Sequence, residues 1–302
     1  MTYLIFVAGL IALTLGGEFL VRGASAIARH FRLSPMLIGL TIVGFGTSAP
    51  ELLVSVQAAL ADQPGIAIGN VLGSNIANAL LILGISALIA PLMIPVRKIW
   101  RDLAFMLGAT ALIWLMLLDG WIGRANGVLL LIGLGAFLAT AFLTGKADQM
   151  DDTAPRMAPP MAWAMTIGGL IVMVFGARLL VESATEIARS FGISEAVIGL
   201  TIVAVGTSLP ELATSVIAAL RKQTEIAVGN IVGSNIFNIL GILGITAVIS
   251  PIPADPRFAH VDMFWVAGSA IALTAMAVAW GGLPRKAGVA LLLAYAVFMA
   301  LI

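Results

Sequence analysis

The chain has no cysteine, only two histidines and two tyrosines, and few charges, since Lys, Arg, Asp and Glu make up 10% of its 302 residues. Without thiols it forms no disulfide, covalent haem attachment or thiolate metal site, although this does not identify a compartment. His30 and His260 both fall outside the expected apolar spans, which argues against zinc or copper. So little charge beside 61% hydrophobic residues and a mean hydropathy of +1.09 leaves too little polar surface for a water-soluble globule of this size. The net charge of +1 gives no sign of a nucleic-acid partner. The expected partner is a lipid bilayer.

What the chain has in abundance is apolar runs of about the length that fills a bilayer's hydrocarbon core. Ten are expected, at roughly 2–29, 35–60, 64–90, 98–118, 122–143, 161–188, 194–220, 225–250, 259–280 and 286–301. The first lacks the basic start of a signal peptide and has a counterpart at 161–188, so it reads as a retained helix. The polar stretch Thr144 to Pro160, with Asp148, Asp151, Asp152 and three prolines, reads as a solvated linker between halves 1–143 and 161–302.

The halves repeat each other. Ser34 to Pro91 matches Ser194 to Pro251 at roughly 36 of 58 positions without a gap. Five spans per copy is an odd number, so the second copy enters the membrane from the opposite face, the inverted-repeat plan of secondary transporters. With the N-terminus outside, the inner loops carry Arg29, Arg32, Arg97, Lys98, Arg101, Lys146, Arg156, Arg221, Lys222, Arg285 and Lys286, and the outer loops only Arg124, Arg189 and Arg257. The positive-inside rule therefore places both termini outside.

The most repeated segment is Gly39-Leu40-Thr41-Ile42-Val43-Gly44-Phe45-Gly46-Thr47-Ser48-Ala49-Pro50-Glu51, which returns as Gly199 to Glu211. It sets a carboxylate inside each apolar run, where ionisation costs at least a few kcal/mol, so Glu51 and Glu211 are functional candidates. Pro50 and Pro210 cannot donate to the carbonyls of Gly46 and Gly206, which predicts a broken helix in each copy. A break frees carbonyl oxygens, and the end of a half-helix carries partial negative charge that favours a cation. Thr47 with Glu51, and Thr207 with Glu211, are spaced for one helical face, and Ser48 and Ser208 add hydroxyls. Carboxylate, hydroxyl and carbonyl oxygens together suit Ca²⁺ and Na⁺.

A second motif, Gly69-Asn70-Val71-Leu72-Gly73-Ser74-Asn75-Ile76-Ala77-Asn78, returns as Gly229 to Asn238. Its glycines, with Gly65, are expected to let backbones approach closely. Ser74, Asn78, Ser234 and Asn238 are further candidate oxygen donors. Glu18 with Arg22, and Arg178 with Glu182, are spaced as local ion pairs near the membrane boundary. The six tryptophans mostly fall near span ends and read as interfacial anchors.

The pair G-T-S-x-P-E and G-N-x-x-G-S-N-x-x-N, doubled across the chain, resembles the two alpha-repeats of the calcium/cation antiporter superfamily, in its prokaryotic sodium/calcium exchanger branch. The resemblance implies an all-α membrane protein of ten transmembrane helices, arranged as two inverted five-helix repeats broken at the midplane. It implies Glu51 and Glu211 as central ligands, completed by Thr47, Ser48, Thr207, Ser208 and the carbonyls of Gly44 and Ala204, with Ser74, Asn78, Ser234 and Asn238 joining from adjacent helices. Several relatives, including potassium-dependent ones, carry Asp where this chain has Asn238, so two carboxylates remain and potassium dependence is disfavoured. The implied activity is electrogenic Na⁺/Ca²⁺ antiport in the cytoplasmic membrane by a monomer, with no cofactor. The family's usual three Na⁺ per Ca²⁺ would move one net charge, worth roughly 2.3 kcal/mol per 100 mV. It also implies that the first and sixth spans slide on a more rigid core, with Gly16, Gly17, Gly168, Gly169 and Gly176 as small contact surfaces. H⁺/Ca²⁺ antiport on the same scaffold, or a cation channel, are the alternatives. An intramembrane enzyme is disfavoured, because the spans hold no Ser-His pair and no Asp pair.

Overall fold

A computed structural model describes residues 1–94, 96–144, 157–192 and 204–301, with backbone alone at 96–98 and 204. Helix α1 (Thr2–Phe31) runs unbroken for 30 residues, and Arg32, in the left-handed region at φ 53°, ends it by returning its N–H to Ala28 and Arg29. At 1.5 Å per residue it is about 45 Å long, enough to cross the hydrocarbon and both headgroup layers. Helix α7 (Pro159–Ser190) is its 32-residue counterpart.

These two helices lie backbone to backbone. A Cβ at Gly9 would stand 2.9 Å from the carbonyl oxygen of Gly176, one at Gly16 2.7 Å from that of Gly169, and one at Gly23 2.7 Å from that of Ala162. Contacts therefore step by seven residues on both helices in opposite directions, so the pair is antiparallel, joined along a seam of small residues. Of the five glycines expected to give these two helices small contact surfaces, Gly16, Gly169 and Gly176 lie in the seam between them, Gly17 faces Ile217, and nothing lies within 4 Å of a Cβ at Gly168. Gly9 and Gly23 also belong to the seam.

The chain then breaks where the prolines demand. Helix α2 (Pro35–Thr47) and helix α3 (Ala49–Leu60) meet at Ser48 with a bend of 44°. In the second copy, α8 (Ala204–Gly206) and α9 (Leu209–Leu220) are separated by Thr207 and Ser208. Ser48 (φ −84°, ψ 7°) and Ser208 (φ −86°, ψ 7°) share one backbone conformation, in the sparsely allowed bridge region. The residues expected to lead into the second break, 194–203, lie outside those described.

Helices α4 (Pro64–Ile89) and α10 (Thr224–Ile249) form the centre, with 72% and 83% of their most apolar stretches buried. Each switches to π-helical hydrogen bonding, at Ala77–Ile82 and Phe237–Leu243. Helices α5 (Val96–Leu118), α6 (Arg124–Thr144), α11 (Phe258–Trp280) and α12 (Arg285–Leu301) surround them. Two short antiparallel pairings tie the loops of opposite halves: β1 (Leu92–Met93) to β4 (Gly282–Leu283), and β2 (Trp121–Ile122) to β3 (Ile252–Pro253).

Among the described residues, seven helices are long and apolar enough to cross a membrane, or eight when α2 and α3 count as one bent span. Two of the ten expected spans are absent from that number. Helix α9 has 12 residues because it starts after the break at Ser208, and of the half-helix before that break only α8 is described. Helix α12 has 17 residues, about 25 Å, less than the roughly 30 Å hydrocarbon thickness. His30 and His260, both read as outside the spans although the run 259–280 takes in His260, lie on the last turn of α1 and the first turns of α11, where each is solvent- or lipid-exposed. Trp114 and Trp265 pack edge-on against Phe264 and Phe298, so these two are not interfacial anchors alone.

Candidate ion-binding site

The two breaks bring Glu51 and Glu211 into the same interior, each 1% exposed. Each acid lies in the first turn of the half-helix that follows its break. There the positive end of the helix dipole offsets part of the cost of burying a carboxylate.

The hydrogen bonds cross between copies. Ser48 Oγ donates to Glu211 Oε1 at 2.9 Å, and Ser208 Oγ donates to Glu51 Oε1 at 3.4 Å. Ser208 Oγ also lies 3.5 Å from Ser74 Oγ. Thr207 lies beside the Glu51 carboxylate and Thr47 beside that of Glu211. The spacing of Thr47 and Glu51 suggested one shared helical face, but the bend at Ser48 turns the threonine away. Thr47 Oγ1 lies 3.2 Å from both the Gly44 carbonyl and Asn230 Oδ1.

Helix α2 reaches the centre through close backbone packing. A Cβ at Gly233 would stand 2.2 Å from the Leu40 carbonyl oxygen, one at Gly229 2.6 Å from that of Met36, and one at Gly44 3.0 Å from the Ser234 nitrogen. The close approach expected of the second motif's glycines is met by Gly229 and Gly233. Around Gly65 and Gly73 there is open space among the described residues; the counterpart of Pro35–Val43, residues 195–203, is not described. Ser234 Oγ donates to the Gly44 carbonyl at 3.1 Å, which brings these two expected ligands together. Of Ala204, only the backbone is described, on α8.

Asn78 and Asn238, each 1% exposed, stand on the π-helical turns of α4 and α10, which pack against α9 and α3 respectively. Four of the buried oxygens without any hydrogen-bond partner are Glu51 Oε2, Glu211 Oε2, Asn78 Oδ1 and Asn238 Oδ1. Leaving one such group unpaired in an apolar interior costs about 1–3 kcal/mol, and a charged one more. Ser86 Oγ and Thr246 Oγ1 are likewise unpartnered, but it is the four carboxylate and amide oxygens of the two duplicated motifs whose chemistry a hard cation would satisfy. No cluster of three or more His, Cys, Asp or Glu exists among the described residues, so the donor set is two carboxylates with neutral oxygens.

Several residues that hold this set together were not singled out from the sequence. Asn70 Nδ2 donates to the Glu51 carbonyl at 3.0 Å and to Ser55 Oγ at 2.9 Å. Asn230 repeats this with the Glu211 carbonyl at 3.3 Å and Ser215 Oγ at 3.0 Å. Their duplication was the available signal, since Asn70, Ser55, Asn230 and Ser215 recur at matching positions. The ion pairs expected on α1 and α7 are present: Glu18 with Arg22 at 2.6 Å, and Arg178 with Glu182 at 2.7 Å. Glu18 also pairs with Arg221, beyond the end of α9, which the sequence did not indicate.

The sequence profile of the family described as "Sodium/calcium exchanger protein" matches residues 1–143 and 161–302. The chain is 42% identical to a putative antiporter, CaxA, of Alkalimonas amylolytica, over 92% of this chain and 90% of that protein. It is 32% identical to the sodium/calcium exchanger MaX1 of Methanosarcina acetivorans, over 99% and 98%. Its structure is similar to that of the sodium-calcium exchanger NCX_Mj soaked with 2.5 mM Na⁺ and 10 mM Sr²⁺, with a TM-score of 0.89 and 34% identity over the full length of both chains.

Proposed function

The chain belongs to the sodium/calcium exchanger protein family, and from that membership we propose that it exchanges Na⁺ for Ca²⁺ by alternating access at the Glu51/Glu211 site. The observation that carries this reading is the set of four buried, unpartnered oxygens on Glu51, Glu211, Asn78 and Asn238. Thr47, Ser48, Thr207, Ser208, Ser74, Ser234 and the carbonyls of Gly44 and Ala204 complete the oxygen lining. Two carboxylates neutralise one Ca²⁺, or share their oxygens among several Na⁺. The two loads then exclude each other by charge and by space, and that exclusion couples the fluxes.

In this reading ten spans form two inverted halves, 1–143 and 161–302, joined by 144–160, with both termini outside a cytoplasmic membrane. The antiparallel seam of α1 and α7 and the crossed serine bonds support the inversion. The exchange is electrogenic, with Na⁺ entry driving Ca²⁺ out, and the protomer works alone.

The test is radiolabelled Ca²⁺ uptake into liposomes carrying the purified chain. An outward Na⁺ gradient alone drives uptake, a pH gradient alone does not, and a potential negative inside slows uptake that is exchanged for three Na⁺. Uptake on the pH gradient without Na⁺ would assign H⁺ as the coupling ion, and flux without any counter-ion would make the chain a channel.

A further inference from the structure

The second motif carries three asparagines per copy; Asn70 and Asn230 hold the carbonyls of the acids, and of the other two pairs only Asn78 and Asn238 keep a buried oxygen free of any partner. The other pair, Asn75 and Asn235, is 2% and 3% exposed and bonded across the interface between α4 and α10. Asn75 Nδ2 donates to the backbone carbonyl of Asn235 at 3.2 Å, and Asn75 Oδ1 accepts from Asn238 Nδ2 at 2.9 Å. Reciprocally, Asn235 Nδ2 donates to the carbonyl of Asn75 at 3.5 Å, and Asn235 Oδ1 accepts from Asn78 Nδ2 at 3.0 Å.

A primary amide presents a donor at one end and an acceptor at the other, so its orientation follows from its neighbours. Each chain of bonds starts at a backbone carbonyl, which can only accept. That forces the NH₂ of Asn75 toward Asn235, hence its oxygen toward Asn238, hence the NH₂ of Asn238 away from the site and its Oδ1 into it. The same logic runs from the Asn75 carbonyl through Asn235 to Asn78. Both anchoring carbonyls lie just before the π-helical turns that begin at Ala77 and Phe237, and a switch from α to π bonding leaves a carbonyl without a donor from its own helix.

We propose that Asn75 and Asn235 are positioning residues: two amide relays, each started by a backbone carbonyl of the opposite copy, lock Asn238 and Asn78 with oxygen toward the ion and nitrogen away. This rests on the ion site described above. Without the relay either amide can turn its NH₂ toward the cation, and binding must then restore the orientation.

The test uses a substitution that makes orientation irrelevant. A carboxylate has oxygen at both ends, so Asn238→Asp presents oxygen to the ion whichever way it turns. In Na⁺-driven Ca²⁺ uptake by the full chain in liposomes, Asn75→Ala raises KM for Ca²⁺ roughly threefold to tenfold, the value of one lost hydrogen bond. In the Asn238→Asp background the same change moves KM less than about twofold. Asn235→Ala with Asn78→Asp gives an independent second cycle should Asn75→Ala fail to fold. An equal rise in both backgrounds would make Asn75 a mere packing residue, and no rise with Asn238 present would remove the relay. If Glu51→Gln keeps full uptake, the ion site itself is wrong; if Glu51→Gln loses uptake while the cycle shows no coupling, the relay alone is wrong.

Discussion

Helices α3 and α9 carry the same acid at the same step after the same break, yet they are covered differently. On α9, Pro210, Thr214 and Ile217 are buried; at matching positions on α3, Pro50 and Val54 are half-buried and Gln57 is exposed. Leu53 of α3 is 58% exposed. The cover over α9 is α1: Gly17 admits the tip of Ile217, Glu18 pairs with Arg221, and Ser25 Oγ donates to Gln223 at 2.8 Å. Helix α7 gives α3 no comparable ion pair among the described residues. The sequence forbids the mirror of Glu18–Arg221, because the position matching Arg221 is Ala61. The two nearly identical halves of the proposed site thus sit under unequal covers, or lids, which under the proposed alternating access make a site closed on one side and accessible from the other. On the proposed orientation, the closed side is the cytoplasmic one.

Substitutions that thicken the seam test whether the lids move as one unit. Gly16→Ala sets a methyl 2.5 Å from the Met173 nitrogen, whereas Gly168→Ala meets nothing within 4 Å. The first should cost ~1–3 kcal/mol of stability, the usual range for overpacking, and slow Ca²⁺ uptake; the second should leave both unchanged. Thermal unfolding in detergent, with uptake measured on the same variants, checks this, and equal effects would mean the seam is not the contact that matters.

A smaller effect separates the ion pairs. Arg178 and Glu182 are 75% and 57% exposed, so Arg178→Gln should change uptake less than about twofold, as for most exposed pairs. Glu18→Gln removes the partner of both Arg22 and Arg221 at the closed lid, so it should change the uptake rate several-fold, about 1 kcal/mol. Equal rates for both variants would deny the lid its asymmetry.

The acids, their breaks and the oxygen-rich second motif were legible because duplication writes each of them twice, and because prolines and buried charges are costly enough to mean something. The pairing across copies was not. Local spacing joins Thr47 to Glu51, whereas the bend at Ser48 gives Ser48 to Glu211 and leaves Thr47 beside Gly44 and Asn230. Nothing in an apolar run marks where α-helical bonding widens to a π turn, so the cross-bonding of Asn75 and Asn235 was hidden. Close packing was only half readable: the glycines of α1 and α7 form a seam, but Gly168, next to Gly169, points away from it.

The central claim is one shared pocket, not two copies of a site. Equilibrium binding of radiolabelled Ca²⁺ to the purified chain, in the absence of Na⁺, counts the ions directly. The account predicts one Ca²⁺ per chain, and affinity weakened more than about a hundredfold by either Glu51→Gln or Glu211→Gln alone, because each removes half of the charge opposite a buried cation. Two Ca²⁺ per chain, with one retained at full affinity in each variant, would contradict it.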